Sequence, residues 1–285
     1  AVEAVLIPQV RREASRAHMR AALAPGARPR PGRPPRASGC VSTQVGCGVR
    51  CAFCASGREG LVRNLSAGEI VAQALLLRAR ARARGLHLGG LVVMGMGEPL
   101  HNLDALQVAL GNLVSPWGGE LGPSGITVST VGVVEGLERL AREGPAVNVA
   151  LSLHAPDDAT RARIVPLAPR LPPVRDLLAA AGAYARATGR FVTVSYVLLD
   201  GVNDAPAQAA ALADLVVGSG VHHVNLIPWN EVEGLGFAAS PPERARAFFE
   251  RLRAAGVPVH LRRARGAAAD AACGQLARRA VPDAS

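Results

Sequence analysis

Short apolar runs, many of them β-branched, alternate with amphipathic stretches of helical period from about residue 41 to residue 261. The predicted strands are Val41–Val45, Leu91–Met94, Ile126–Thr130, Val147–Leu153, Phe191–Leu198, His223–Ile227 and Pro258–Leu261. The predicted helices lie near 66–82, 102–113, 133–142, 173–187, 205–217 and 242–254. Strict alternation indicates a parallel sheet with crossover helices. Six or seven such units favour an α/β fold of the full or partial barrel type over a doubly wound sheet.

The N-terminal part has a different pattern. A strand-like segment, Val2–Pro8, precedes an Arg/Ala stretch and then a Pro/Gly/Arg-rich run from Ala24 to Arg36. That run cannot form a helix or a central strand, so it predicts a basic loop. We therefore expect an N-terminal extension over 1–37, a core barrel over 38–278 and a tail over 279–285. Because the first residue is Ala1 rather than Met, the N-terminal boundary is not taken as natural.

Charge is concentrated at that end of the chain. All 32 basic residues are Arg and the net charge is +10, to which residues 1–63 contribute eleven Arg against three Glu. This asymmetry suggests a polyanionic partner, nucleic acid first, with a solvated basic surface as the alternative. An apolar fraction of 49% is ample for a core. No stretch approaches the ~18–20 apolar residues of a membrane span, and no signal peptide opens the sequence.

Four of the five cysteines, Cys40, Cys47, Cys51 and Cys54, lie within fifteen positions, whereas Cys273 stands alone. An odd, clustered set argues against a secreted disulfide framework and for a reducing cytosol. The last three have the spacing C-x3-C-x2-C, and three thiolates on so short a loop can hold a metal centre with one open position. An iron–sulfur cluster fits this best. A structural zinc with Cys40 as fourth ligand and a redox dithiol are the alternatives.

The same spacing, with Phe53 before the last cysteine, resembles the radical S-adenosylmethionine (SAM) superfamily. Further motifs are similar to the ribosomal and transfer RNA adenine-2 methyltransferases of that superfamily. These motifs are Cys40–Cys47, Arg63–Ile70, Met94–Pro99, Ser152–Pro156, Asn225–Asn230, Arg265–Gly266 and Asp270–Gln275. The resemblance covers nearly all of residues 1–9 and 38–278, and it implies a partial (β/α)6-type radical SAM barrel.

The resemblance also implies roles for individual residues. Cys47, Cys51 and Cys54 correspond to the ligands of a 4Fe-4S cluster whose open iron binds SAM. The positions that correspond to SAM contacts are Gly97, Glu98, Ser129, Ser152, Leu153, His154 and Asn230. On residue type alone, Gly97–Glu98 is more typical of a strand-end turn and His154 of a structural histidine.

Three residues correspond to the family's methyl-transfer machinery. Cys273 matches the cysteine that is methylated by one SAM and then loses a hydrogen from that methyl group to a deoxyadenosyl radical. In the family, the thiomethylene radical left on that cysteine adds to carbon 2 of adenine, which is electrophilic and has no lone pair to attack a sulfonium methyl. Cys40 matches the thiol that releases the product by forming a disulfide with Cys273, and Glu3 matches the proton acceptor. Without the resemblance, Cys273 is typical of a buried apolar residue and Glu3 of an exposed strand start.

The expected substrate is an adenosine of 23S rRNA that is exposed from its stack, and an adenosine of tRNA is a second candidate. The basic residues expected along a phosphate path are Arg50, Arg58, Arg63, Arg262, Arg263 and Arg265. Trp229 or Phe53 is expected to stack on the base. The expected partners are RNA and a flavodoxin or ferredoxin as reductant, for a cytoplasmic monomer without membrane contact.

The sequence is also compatible with other functions. They are a relative that methylates carbon 8, a radical enzyme acting on a small molecule or peptide, and a non-catalytic RNA-binding barrel with zinc. The chain also departs from the family pattern. The small helical RNA-binding domain before Glu3 is expected to be absent, the segment from Pro8 to Cys40 is longer, and Ala267–Ala269 replace acidic residues.

Overall fold

A computed structural model describes residues 2–8, 35–117 and 121–262. Its strands are β1 (Val5–Pro8), β2 (Arg36–Cys40), β3 (Gln44–Gly46), β4 (Leu61–Asn64), β5 (His87–Val93), β6 (Ile126–Thr130), β7 (Asn148–Ser152), β8 (Val192–Leu198), β9 (His223–Pro228) and β10 (Val259–Leu261). Its α-helices are α1 (Ala67–Arg82), α2 (Leu103–Val114), α3 (Val134–Glu143), α4 (Asp158–Ile164), α5 (Val174–Thr188), α6 (Pro206–Val216) and α7 (Pro242–Ala254).

Eight strands form one sheet in the order β1-β2-β5-β6-β7-β8-β9-β10, and β3 pairs with β4 in a separate hairpin. The seven strands from β2 to β10 are parallel, while β1 runs antiparallel to β2. Because strand order never reverses, each right-handed crossover advances in the same direction and places its helix on the same face. The sheet therefore curls as an open barrel, which confirms the predicted partial barrel.

Local sequence explains how individual elements begin and end. Helix α1 begins with a capping box, in which the Ser66 hydroxyl accepts from the Glu69 N–H and the Glu69 carboxylate accepts from the Ser66 N–H. Helix α5 ends at Gly189, whose φ of +66° suits a residue without a Cβ. All seven residues of β8 are buried, as expected for a central parallel strand covered on both faces.

Most of the buried hydrophobic residues belong to one large cluster and one smaller cluster. The large cluster packs the crossover helices against the sheet and includes Leu106, Val128 and Leu226. A second cluster at the carboxyl ends of the strands includes Phe53 and Trp229 and packs against the partly buried cysteines of the 47–54 loop. None of the described helices is both long and apolar enough to cross a bilayer.

The first predicted core strand, Val41–Val45, is wrong. The sheet strand is β2, and the chain leaves the sheet after Cys40, where the N–H groups of Thr43 and Gln44 both donate to the Met96 carbonyl. Pairing with β1 and β5 on either side recruits Ser38 and Gly39, which have little intrinsic strand preference, into β2. Strand formation here follows from the neighbouring strands more than from residue type.

Candidate functional site

The cysteine loop, Cys47–Cys54, follows β3 and is anchored to three separate parts of the fold. The Cys47 N–H donates to the Gly60 carbonyl at 3.0 Å, and the Ala52 N–H donates to the Ile164 carbonyl at the end of α4 at 2.9 Å. The Trp229 indole N–H donates to the Phe53 carbonyl at 2.9 Å. These bonds hold the loop at the carboxyl ends of the parallel strands, where α/β barrels build their active sites.

One cavity at this end of the sheet is lined by the three loop cysteines together with strand-end residues. The lining also includes Val49, Phe53, Ser56, Val93, Met94, Gly95, Gly97, Glu98, Pro99, Ser129, Val131, Ser152, His154, Ser195, Val197, Ile227, Pro228, Trp229 and Arg262. Five of the seven residues predicted to contact SAM thus face the same space as the predicted cluster ligands.

The surroundings of the thiols disfavour thiolates in the absence of a cation. Burial raises the pKa of Cys47 to about 11, and nearby Cys54 and Glu98 act in the same direction. Burial raises the pKa of Cys51 well above its ordinary value, with Cys54 and Cys47 adding to the effect. Backbone hydrogen bonds from Val49 and Arg50 oppose this at Cys47. A bound metal centre reverses the preference, because a coordinated thiol is deprotonated outright.

The donor set fits an iron–sulfur cluster. Three cysteine thiols border one cavity on a short loop, and soft thiolate ligands select such clusters. Among the described residues, no three His, Cys, Asp or Glu side chains are grouped as around a single metal ion. A four-iron cluster needs no such grouping, because each thiolate binds a different iron atom.

Glu98 is the buried acid of the cavity, with 3% of its surface exposed. Its two carboxylate oxygens accept from the Leu100 N–H at 3.1 Å and the Val131 N–H at 2.9 Å. Burial raises the pKa of Glu98 to about 7, although hydrogen bonds from Val131, Thr130 and Leu100 oppose the shift. A cationic ligand in the cavity would favour the ionised carboxylate.

Gln44 stabilises the Gly97–Glu98 turn through its side chain. Its side-chain oxygen accepts from the Glu98 N–H at 2.9 Å, and its amide donates to Asn64 at 2.8 Å. Gly97 has a φ of +107°, and a Cβ there would lie 2.6 Å from the Gln44 Cβ. Only glycine allows this close approach. Asn102 extends the same set by donating to the carbonyls of Thr43 and Leu65.

The next strand ends contribute hydroxyl and imidazole groups. Ser129 and Ser152, on β6 and β7, have their hydroxyl oxygens 3.0 Å apart. The His154 Nδ1 accepts from the Val197 N–H at 3.1 Å, so the proton of the neutral ring lies on Nε2. Burial, with a smaller contribution from the Arg161 charge, lowers the pKa of His154 to about 3. The imidazole is therefore a neutral donor at physiological pH.

Comparison with known proteins agrees with this geometry. The Radical SAM superfamily profile matches residues 41–213. The probable dual-specificity RNA methyltransferase RlmN of Parafrankia sp. (strain EAN1pec) is 52% identical over 256 residues, which cover 86% of this chain and 66% of that protein. The protein of the same name from Chloroflexus aurantiacus is 49% identical over 260 residues, covering 87% of this chain and 69% of that protein.

A solved radical SAM methyltransferase from Sphaerobacter thermophilus has 48% sequence identity and a TM-score of 0.81, covering 85% of this chain and 70% of that one. The chain belongs to the RlmN family of the radical SAM superfamily. It spans 59% to 69% of the length of the first four curated relatives.

Two predicted SAM contacts of the RlmN pattern do not line the cavity. Leu153 is fully buried, and its N–H donates to the Ser195 carbonyl at 3.1 Å. Asn230 follows β9 next to Trp229, which does line the cavity. Both remain predictions.

Of the predicted methyl-transfer residues, the structure describes Glu3 and Cys40 but not Cys273. Cys40, 8% exposed, ends β2 opposite Val5 of β1, and Glu3 lies two residues before Val5 at that same end. The Ser42 hydroxyl donates to the Glu3 carbonyl at 2.8 Å. Cys273 lies outside the described residues, so its role and its disulfide with Cys40 stay predictions.

The residues predicted to contact RNA differ in how exposed and how paired their side chains are. Arg262 lines the cavity, whereas Arg63 is paired with Glu69 at 2.8 Å and Arg58 donates to the Glu233 carbonyl. Phe53 and Trp229 are buried, at 8% and 5% exposure. Both also line the cavity, and their stacking on a base stays a prediction.

Sequence reasoning missed the buried polar residues that support the site, among them Gln44 and Arg161. Gln44 lies inside the quoted Cys40–Cys47 motif but was assigned no role. Arg161 lies on α4, a helix that was not predicted, although Asp157 accepts from the Thr160 N–H as a typical N-cap. That cap signal could have revealed the helix. Nothing in the sequence marks Arg161 among 32 arginines.

Proposed function

We propose that this chain is the catalytic core of a radical SAM methyltransferase that methylates carbon 2 of an adenosine in 23S rRNA, and also in tRNA. The observation that carries the proposal is the shared cavity. It brings Cys47, Cys51 and Cys54 together with Glu98 and His154 in a member of the RlmN family.

The cysteines would hold a 4Fe-4S cluster and the strand ends would hold SAM. When bound, the cluster supplies the electron that cleaves SAM reductively. Glu98 offers a carboxylate to the SAM ammonium group, and a charged partner of this kind would keep the acid ionised. The Ser129 and Ser152 hydroxyls and the neutral His154 ring offer hydrogen bonds without added charge.

The methyl group would travel on Cys273. A methylthio carrier that loses one hydrogen atom can add to carbon 2 of adenine, where a direct polar attack has no lone pair to use. The adduct radical would then lose one electron to a one-electron carrier and the carbon-2 proton to Glu3. The Cys40 thiolate would attack the Cys273 sulfur, which forms the disulfide and breaks the bond to the methylene carbon, and that carbon would take up a proton to become the methyl group. Glu3 and Cys40 lie close together at one end of the β1–β2 pair, which supports their roles as proton acceptor and releasing thiol in the same reaction.

The target base would enter from the open side of the barrel, so it has to leave its stack. Arg50, Arg58 and Arg262 are placed around the cysteine loop and the cavity and could contact phosphates. A flavodoxin or ferredoxin would act as one-electron donor. The enzyme would work as a cytoplasmic monomer.

Anaerobic reconstitution followed by assay on rRNA and tRNA tests the proposal. We expect a brown protein that converts adenosine to 2-methyladenosine, identified by nucleoside digestion and mass spectrometry. Cys273→Ala should still cleave SAM to 5′-deoxyadenosine but should form no methyladenosine.

The controls separate the alternatives. Formation of 8-methyladenosine alone would assign the chain to the carbon-8 relatives, and full methylation by Cys273→Ala would overturn the carrier mechanism. A colourless, zinc-loaded protein without SAM cleavage would favour the non-catalytic barrel. Cys40→Ala should load Cys273 with methyl but fail to release product.

A further inference from the structure

Arg161 is an unusual residue in this fold, a charged side chain with only 1% of its surface exposed. Arginine is almost never fully buried unless its charge is paired. Its Nε donates to the Leu153 carbonyl at 3.1 Å and its Nη2 to the Val131 carbonyl at 2.5 Å, with Ser152 at 3.5 Å. Within the described ranges these main-chain carbonyls are its hydrogen-bond partners, and no carboxylate there forms an ion pair with it.

These carbonyl groups lie at the carboxyl ends of two neighbouring strands. Val131 follows β6, and Ser152 and Leu153 lie at the end of β7, so Arg161 bridges two strand ends. Val131 and Ser152 also line the cavity that contains the cysteines.

The helix that carries Arg161 also holds the cysteine loop. One turn after Arg161, the Ile164 carbonyl accepts from the N–H of Ala52, the residue after Cys51. A single short helix, α4, therefore connects a buried positive charge to the loop of the predicted cluster ligands.

The field of this charge reaches the cavity. The Arg161 guanidinium contributes to the low pKa of His154, whose ring lines the cavity. Burial lowers the pKa of Arg161 itself, with Cys51 and Asp158 opposing the shift. Guanidinium groups in proteins nevertheless stay protonated. Away from water, such a charge acts more strongly than at the surface.

We propose that Arg161 is a built-in counter-charge for the iron–sulfur cluster, which stabilises the reduced cluster and raises its reduction potential. The inference rests on the proposed function, because it requires a cluster on Cys47, Cys51 and Cys54. Reduction by an external one-electron donor adds one negative charge to the site, and a fixed nearby cation favours that state. Net charge and hydrogen bonding are among the factors that set cluster potentials. Arg161 is thus a positioning residue that acts through the cluster environment.

A purely structural role would have a different signature. If Arg161 only braces the strand ends, replacing it changes stability while the potential of any cluster that forms stays the same. If its charge matters, a neutral side chain shifts the potential and a lysine does not.

The test compares reconstituted variants of the 285-residue chain that carry Arg161→Met, Arg161→Lys or Arg163→Met. Arg163 is exposed on the same helix and provides a matched loss of one charge. The midpoint potential is measured anaerobically by EPR-monitored titration with dithionite and mediators, without SAM. For Arg161→Met we expect the reduction equilibrium to become at least tenfold less favourable, about 59 mV for one electron. Arg161→Lys and Arg163→Met should stay near the wild-type potential.

Equal potentials in Arg161→Met and Arg163→Met would overturn the inference while leaving the proposed function intact. Failure of the wild-type chain to take up a cluster would instead overturn the proposed function. If Arg161→Met does not fold, Arg161→Gln takes its place. If neither neutral variant folds, Arg161→Lys decides, because a tenfold less favourable reduction despite its retained charge would contradict the counter-charge role.

Discussion

Two buried polar networks of opposite charge adjoin the cavity, which Glu98 lines and Arg161 does not. In the Glu98 network, formed by Gln44, Asn64, Glu98 and Asn102, the carboxylate accepts from two backbone N–H groups. In the Arg161 network, formed by His154, Arg161 and Asn203, the guanidinium donates to main-chain carbonyls at strand ends, and Asn203 donates to the carbonyl of the adjoining His154. Each network therefore stabilises its charge with peptide dipoles.

This difference polarises the site. A carboxylate held by N–H groups attracts a cationic ligand such as the sulfonium or ammonium group of SAM, whereas a guanidinium favours a centre that gains negative charge. Direct pairing of Glu98 with Arg161 would have neutralised both. Separate support by backbone groups instead leaves each charge to pair with a bound group, because burying a charge costs a lot unless it is both hydrogen-bonded and paired.

The largest effect is expected in the Arg161 network, at Asn203. Its amide donates to the carbonyls of His154 and Val197 at 2.7 Å each, and its oxygen accepts from the Leu199 N–H at 2.8 Å. Asn203→Ala leaves three buried groups unsatisfied and should lower the free energy of unfolding by roughly 3–5 kcal/mol. Urea denaturation of the purified chain measures this. Asn148→Ala, at a more exposed site, should cost less than half as much, and equal losses would contradict the assignment.

The lowered pKa of His154 predicts how the free energy of unfolding depends on pH. Its folded pKa of about 3 lies below the ordinary 6.5, so its contribution is present above pH 6.5 and is lost as pH falls toward 3. Between pH 7 and pH 5 the wild type should lose about 2 kcal/mol through this group. His154→Asn, which tolerates the φ of +64°, should lose less over that interval.

Urea midpoints at the two pH values, with exposed His260→Asn as control, decide the question. An unchanged pH dependence in His154→Asn would show that another group is responsible.

Gln44 tests the Glu98 network. Gln44→Ala removes the bonds to the Glu98 N–H and to Asn64, and should lower the free energy of unfolding by roughly 2 kcal/mol. SAM affinity should fall as well, because the Gly97–Glu98 turn loses its support. Gln208→Ala also removes two hydrogen bonds, but far along the chain in the α6 cap. That variant should leave SAM binding unchanged, and matching losses of affinity would disprove a specific role for Gln44.

The smallest expected effect is the pH dependence of SAM binding through Glu98. With a pKa of about 7, Glu98 is largely protonated at pH 5.5. SAM affinity of the cluster-loaded chain should therefore be about tenfold weaker at pH 5.5 than at pH 7.5. Equilibrium binding of Glu98→Gln should be weaker at both values and vary less. Glu98 also affects the free energy of unfolding, with a sign opposite to that of His154. Because its folded pKa is raised above the ordinary 4.5, Glu98 stabilises the fold below pH 4.5, and this stabilisation is lost as pH rises through 7.

Much of the fold could be predicted because its helices and strands have strong periodic patterns. Strand β6 and helix α7 have the predicted bounds, Ile126–Thr130 and 242–254. Strand β2 could not be predicted, since Ser38 and Gly39 become strand residues only between β1 and β5. The β3–β4 hairpin was missed for a similar reason, as its four exposed β4 residues show no buried face.

The candidate site was predictable where chemistry requires particular residue types. Cysteine spacing marked Cys47, Cys51 and Cys54, and strand-end motifs marked Glu98 and His154, all of which line the cavity. The supporting residues could not be recognised because a glutamine or an arginine carries no local signal of burial.

The sequence by itself determined the alternation of strands and helices, the candidate ligand set and the family, because these follow from periodicity and from residue types at short spacing. Only the tertiary structure decided how the charges are held. Gln44 meets Glu98, and Arg161 meets Val131 and Leu153, across large separations in sequence. Such contacts depend on strand order and curvature, which bring together groups that no local pattern connects.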